Sequence, residues 1–244
     1  MPPRSEIALR LADVSLSFGK LSILQDLNLS VHKGEAVALV GLSGSGKSTI
    51  LRLVAGLLRP DSGHVHVAGG RPQMVFQDAI SSLTPWLTVG EQLAERLRPL
   101  RLSRNVVRRR IEVALGEVGL TADAARALPR ELSGGQAQRV AVARAIVVPP
   151  DVLLCDEPIS AMDVSLAAQT LNLLGDVRRR LGMAMVFVTH DLAAARIISD
   201  RIVVLDGGRI VEDGAAETVV THPASMQARN LISATPRMRV GARA

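Results

Sequence analysis

The chain has 244 residues, 48% of them hydrophobic, enough apolar material for one large compact domain with subdomains. A single cysteine excludes an internal disulfide and leaves no cysteine cluster for zinc or iron–sulfur ligation, and apolar runs of strand length exclude a membrane-spanning helix. The net charge of +6 is almost all arginine; it suits nucleic acid or anionic lipid, and it suits an ordinary solvated surface, which is the reading taken here.

The opening residues, Met1-Pro2-Pro3-Arg4-Ser5-Glu6, carry charge early and lack the apolar core of a signal peptide, so a cytoplasmic chain is expected. Ala8–Ser17, Leu27–Val31 and His64–Val67 read as short strands, with turns at Lys33-Gly34 and Asp61-Ser62-Gly63, and form a small sheet of their own. Between them Val37–Val40 predicts a buried strand and Ile50–Leu58 a helix. From about 79 to 135 the pattern is mostly helical, punctuated by prolines at 85, 99 and 129. Within it Arg108-Arg109-Arg110 falls on the wet side of a helix whose apolar face carries Val107, Ile111, Ala114, Leu115 and Val118. Three more buried strands follow at Val152–Cys155, Met185–Thr189 and Ile202–Asp206, with Cys155 expected inside. Arg178-Arg179-Arg180, near a helix end, is expected to be solvated. From Thr235 onward the sequence reads as a frayed tail. Apolar strands alternating with helices predict an α/β fold with a parallel sheet, and three of the strands end at polar motifs that would converge at one carboxyl edge.

The first of those motifs is Gly41-Leu42-Ser43-Gly44-Ser45-Gly46-Lys47-Ser48-Thr49, a complete phosphate-loop pattern set between a strand and a helix. Its glycines let the backbone curl so that N–H groups point inward, and the helix start adds partial positive charge. Lys47 is expected to reach the β- and γ-phosphates of a nucleotide and Ser48 to hold Mg2+. The second motif is Cys155-Asp156-Glu157-Pro158. Asp156 is expected to hold Mg2+ through water and Glu157 to orient and polarise the attacking water; alone, the two would read as solvated acids at a strand end.

The third is Leu132-Ser133-Gly134-Gly135-Gln136. Ser-x-x-Gln before a helical run is a capping box, and a capped helix start with two glycines leaves backbone donors open to an anion. The order of the three motifs resembles the ATP-binding cassette of ABC transporters, over nearly the whole chain. The resemblance implies that Ser133, Gly134, Gly135 and Gln136 bind the γ-phosphate held by the phosphate loop of a second cassette. It also implies that Phe18 stacks on adenine, that Gln77 in Val75-Phe76-Gln77-Asp78 senses Mg2+ and the membrane partner, that Asp163 crosses a dimer interface, and that His190 in Thr189-His190-Asp191 contacts the γ-phosphate.

Finer segments are similar to the oligopeptide, dipeptide and nickel import group: Phe76-Gln77-Asp78 with Ser81-Ser82-Leu83-Thr84-Pro85, Thr88-Val89-Gly90-Glu91-Gln92, Asp163-Val164-Ser165, and Ile198-Ser199-Asp200-Arg201. Ala79, Thr84, Ile159 and Met162 depart from that group's usual proline, asparagine, threonine and leucine. The resemblance implies a P-loop NTPase (RecA-like) core with a small antiparallel β subdomain and an α-helical signature subdomain at about 79–143. The ATPase domain would span 1–234, with 235–244 a flexible tail. ATP and Mg2+ are the implied cofactors. A second cassette (an identical copy or a paralogue), integral-membrane permease subunits and, indirectly, an extracytoplasmic solute-binding protein are the implied partners, with no nucleic acid. The implied role is ATP hydrolysis driving uptake of a peptide or a nickel or metal chelate at the cytoplasmic face of the membrane. The alternatives are an importer cassette for another solute, a non-transport ATPase of the same family acting on nucleic acid or the ribosome, and a module that binds ATP without turnover.

Overall fold

The computed structural model describes residues 6–70, 72–78, 81–160 and 162–234. The expected tail at 235–244, the opening Met1–Ser5, and Ala79 of the import-group comparison lie outside the described residues. Two sheets organise the rest. A long hairpin, β1 (Ile7–Phe18) and β2 (Leu21–His32), is joined by β4 (Ser62–Val67) into an antiparallel sheet of order β2-β1-β4. The second sheet has six strands in the order β5-β6-β7-β3-β8-β9. Its members are β3 (Ala36–Val40), β5 (Gln73–Val75), β6 (Val152–Asp156), β7 (Ala184–Val188), β8 (Arg201–Asp206) and β9 (Arg209–Ala215). All neighbours pair in parallel except β9, which returns antiparallel along β8.

The burial of the strands explains the two architectures. β3 and β7 are buried at every residue, as strands covered by helices on both faces must be. β4 and β9 alternate between exposed and half-buried residues, as edge strands with one wet face do. Their weak patterns are why β9 is not legible in the sequence, while β5, with three residues, is too short to show a period.

Helices α1 (Lys47–Val54), α2 (Val89–Leu97), α3 (Arg104–Glu117), α4 (Gly134–Ile146), α5 (Val164–Leu181), α6 (Leu192–Ile198), α7 (Ala216–Thr221) and α8 (Met226–Ala234) complete the fold. One apolar cluster joins the small sheet, α1 and the β3–β7–β8 face through Leu11, Leu27, Ile50, Leu51, Val188 and Leu205. A second joins α2, α3, α4 and α5 to the sheet's other face through Leu93, Leu115, Val140, Leu174 and Phe187. No helix among the described residues is long and apolar enough to cross a membrane.

Two expectations are corrected. The helix expected at Ile50–Leu58 runs Lys47–Val54, because the turn of the phosphate loop already sets Lys47 in helical geometry and Gly56, at φ 72°, ends the helix while Leu57 N–H donates back to the Arg52 carbonyl. Arg178 is not solvated like its neighbours. It is buried, and its Nη1 donates to Asp200 Oδ2 at 2.6 Å and to the Gly34 carbonyl at 2.9 Å. Asp200 Oδ2 also accepts from the Ala36 N–H, so one carboxylate ties α5 to the entry of β3. Arg179 and Arg180 do stand exposed, paired with Asp176 and Glu117.

Candidate functional site

The site begins where β3 ends. Gly41 takes φ 155°, and a Cβ there would lie 2.3 Å from the Leu205 carbonyl oxygen. Gly46, at φ 104°, has the side chain of Leu24 2.6 Å from the position of a Cβ. Only glycine therefore lets β8 and β2 close so tightly behind the loop. Gly46 is also the N-cap of α1 and offers no side chain to its first N–H groups, so those donors stay available at the positive end of the helix.

Lys47 is buried, and its Nζ donates to the carbonyls of Gly41 and Leu42, both at 2.8 Å, and to Ser45 Oγ at 3.3 Å. Burial pushes the Lys47 pKa down, and the charges of Glu157 and Asp156 work against that shift. A cation held in this way wants an anionic neighbour, and the loop's N–H groups supply the surroundings for one.

β6 delivers the carboxylates. Ser48 Oγ, from the second residue of α1, donates to Asp156 Oδ1 at 3.1 Å. Burial raises the Asp156 pKa; the Ser48 hydrogen bond opposes it, Glu157 adds to it, and Arg52 and Lys47 oppose it. A half-buried carboxylate beside a hydroxyl oxygen, in a place that penalises its lone negative charge, is the donor set that a hard divalent cation such as Mg2+ satisfies.

Glu157 follows in a left-handed backbone conformation, φ 47°, which costs a non-glycine residue on the order of 1–3 kcal/mol. Its N–H is held by the Val188 carbonyl at 3.1 Å, and its own carbonyl accepts from Ser160 N–H and Oγ. That geometry turns the side chain toward His190, whose Nδ1 lies 3.2 Å from Glu157 Oε2. An ionised carboxylate only accepts, so in that state Nδ1 carries the proton and donates. His190 is placed by β7 and by Asp191, which caps α6 by accepting from Ala193 and Ala194 N–H.

Lys47, Ser48, Glu157 and His190 share one open cavity of about 480 Å³, lined also by Ile23, Gly41, Ser43, Gly44, Gly46 and Thr49, and Asp156 is joined to it through Ser48. Ile23, from β2, is a wall that no motif signals. Arg52 is a second residue missed; its place one helical turn beyond Ser48 was the available clue.

The other expected residues stand apart from this cavity. Phe18 is exposed at the end of β1, on the hairpin that contributes Ile23. Gln77 is exposed two residues beyond β5. Asp163 caps α5, its Oδ1 accepting from Leu166 N–H at 3.0 Å. Ser133 and Gln136 form the capping box of α4: Ser133 Oγ accepts from Gln136 N–H at 3.3 Å, and Gln136 Oε1 accepts from Ser133 N–H at 2.9 Å. Ser133, Gly134 and Gln136 are exposed, and a Cβ at Gly134 would meet open space. Of the two remaining aromatics near the motifs, Phe187 is plain core and Phe76 is largely exposed, while Cys155 is fully buried with its thiol pushed far above its usual range by burial.

Comparison with known proteins places this geometry in a family. The family model described as "ABC transporter" matches residues 24–160. The oligopeptide transport ATP-binding protein OppF of Escherichia coli (strain K12) is 40% identical over 233 residues, covering 88% of this chain and 70% of the relative. OppF of Salmonella typhimurium is 39% identical over the same shares of the two chains. Among solved structures, cbiO1 from Clostridium perfringens, described as part of the ABC transporter complex cbiONQ, superposes with a TM-score of 0.81 at 26% identity, covering 88% of this chain and 91% of that one.

Proposed function

This chain belongs to the ABC transporter family, and we propose that it is the ATP-hydrolysing subunit of an importer whose solutes are peptides. The observation that carries the reading is the convergence of Lys47, Ser48, Glu157 and His190, from three strand ends, on one cavity, with Asp156 hydrogen-bonded to Ser48. The loop N–H groups and Lys47 bind the phosphates of ATP; Lys47 gives up the carbonyls of Gly41 and Leu42 for phosphate oxygens. Ser48, and Asp156 through water, would hold Mg2+, which would supply charge neutralisation on the phosphates when bound. Glu157 accepts the proton of the attacking water, and His190 fixes the carboxylate's direction.

Ser133 to Gln136 face outward with their own box closed, which supports their use by a second cassette rather than by the cavity of the same chain. Asp163 lies on that shared interface, Phe18 stacks on the adenine, and Gln77, with the helical region at about 79–143, relays the state of the site to permease subunits at the membrane. The names of the OppF relatives favour peptides over a nickel or metal chelate.

Glu157→Gln tests the core of this reading. ATP binding should persist while steady-state hydrolysis falls by about 100-fold or more; unchanged turnover overturns the catalytic assignment. Reconstitution with the permeases, followed by uptake of labelled peptide and of labelled nickel chelate, decides the solute. Uptake of the chelate alone overturns the peptide assignment.

A further inference from the structure

The positive charge of this chain is concentrated. Residues 96–130 carry nine arginines against three acidic residues, an excess of +6 that equals the formal net charge of the whole chain, so everything else is neutral. Eight of these arginines are exposed and Arg110 is half-buried. Few are neutralised. Among the described residues the ion pair that engages one is Arg108–Glu112, a loose 3.8 Å contact between exposed side chains, and Glu117 is taken by Arg180 from outside the segment.

The outer face of α3 sets the character of the surface. Its buried face is Ile111, Ala114 and Leu115. Helical spacing places Arg109 and Val113 opposite, with Val106 and Arg110 beside them, while Arg104 and Arg108, seven residues before Ile111 and Leu115, lie on the other side of the helix and are exposed there. Val106 and Val113 are 43% and 56% exposed. A helix that offers arginines and uncovered aliphatic side chains together fits the boundary between lipid headgroups and acyl chains. A single-stranded polynucleotide would be met by aromatic stacking platforms, and residues 96–130 contain no Phe, Trp or Tyr.

We infer that the arginine-rich outer surface of residues 96–130, centred on α3, binds the headgroups of anionic phospholipids. The choice of a bilayer rests on the membrane-associated reading above; the charge asymmetry does not. The surface gives the subunit an affinity for the membrane that is independent of the permeases and weakens with salt, because a sheet of like charges is screened within about 8 Å at physiological ionic strength.

The test is sedimentation of the purified full chain with vesicles of phosphatidylcholine containing phosphatidylglycerol, and with vesicles of phosphatidylcholine alone. Binding to the anionic vesicles that falls steeply as salt rises is expected. The triple variant Arg104→Gln/Arg108→Gln/Arg109→Gln should lower that affinity by about 100-fold while leaving ATP hydrolysis at the wild-type level. A control triple, Arg59→Gln/Arg179→Gln/Arg209→Gln, removes the same charge elsewhere and should bind vesicles nearly as well as wild type. Equal losses in the two triples, no vesicle binding by a subunit that still hydrolyses ATP, or tighter binding to a single-stranded oligonucleotide than to the anionic vesicles each overturns the inference. Loss of hydrolysis with vesicle binding intact would strike the proposed function and leave this surface standing.

Discussion

Two helix starts in this molecule carry glycine-rich motifs, and they are built in opposite ways. At α1 the N-cap is Gly46, no side chain serves the first N–H groups, and Glu157 and buried Lys47 line the cavity beside them, with Asp156 hydrogen-bonded to Ser48. At α4 the N-cap is Ser133, the box with Gln136 is complete, and the surface beyond Gly134 is open. The first is an unsatisfied concave site. The second is a satisfied, nearly flat one, whose fold needs nothing further. The difference teaches that a glycine-rich helix start need not make a pocket in its own chain; under the proposed function, the capped start at α4 would be half of a site that a second cassette completes.

The contrast can be tested by breaking each start in turn. The largest expected effect is on turnover. Ser133→Arg should reduce hydrolysis by about 100-fold while the isolated chain still binds ATP, measured with a fluorescent nucleotide analogue at low protein concentration. Loss of that binding would mean that the two starts serve one pocket after all. Next is stability. Gly41→Ala drives a Cβ to 2.3 Å from the Leu205 carbonyl and should cost about 2–3 kcal/mol in urea unfolding. Gly134→Ala, whose Cβ meets nothing, should be neutral or stabilising by up to about 1 kcal/mol. Equal costs at the two glycines would erase the distinction. Ser133→Ala should then remove about 1 kcal/mol, the worth of an ordinary cap.

The smallest effect calibrates the others at a helix start with no motif. Ser225 Oγ accepts from Ala228 N–H in the first turn of α8, and Glu212 accepts from Ala224 N–H, Ser225 N–H and Ser225 Oγ. Burial pushes the Glu212 carboxyl up, but those hydrogen bonds and Arg229 outweigh it and hold the group below its usual value of 4.5. A depressed carboxyl stabilises the fold above its unfolded value and loses that contribution as pH falls through the folded one. Glu212→Gln should therefore cost about 1 kcal/mol at neutral pH, and the gap between variant and wild type should close as the pH falls below 4.5 and through the folded value. A gap that persisted in acid would show that the carboxylate's charge is not the cause.

Much of this comparison was legible before any coordinates. The phosphate loop, the carboxylate pair and the capping box are local patterns, each stated within four to nine consecutive residues, and the apolar runs of β3, β6, β7 and β8 announce a buried parallel sheet. What was not legible depends on contacts across the chain. Ile23 reaches the cavity because a hairpin from the other sheet folds over the loop. Arg178 is buried because Asp200 and the Gly34 carbonyl, distant in sequence, meet it. Glu157's left-handed backbone is imposed by Val188 and Ser160, and glutamate itself gives no hint of it.

Cys155 gives the molecule a clock. It is the chain's one thiol, sealed in β6 between β5 and β7, with its proton held far more tightly than in water. A thiol-reactive dye can reach it only when those strands part. With dye dilute enough that reclosing outpaces labelling, its labelling rate in the unmodified protein thus reports the fraction of molecules in which the central sheet is open. Ligands that bind the cavity at the end of the same strand should slow that rate in proportion to how tightly they hold the sheet shut.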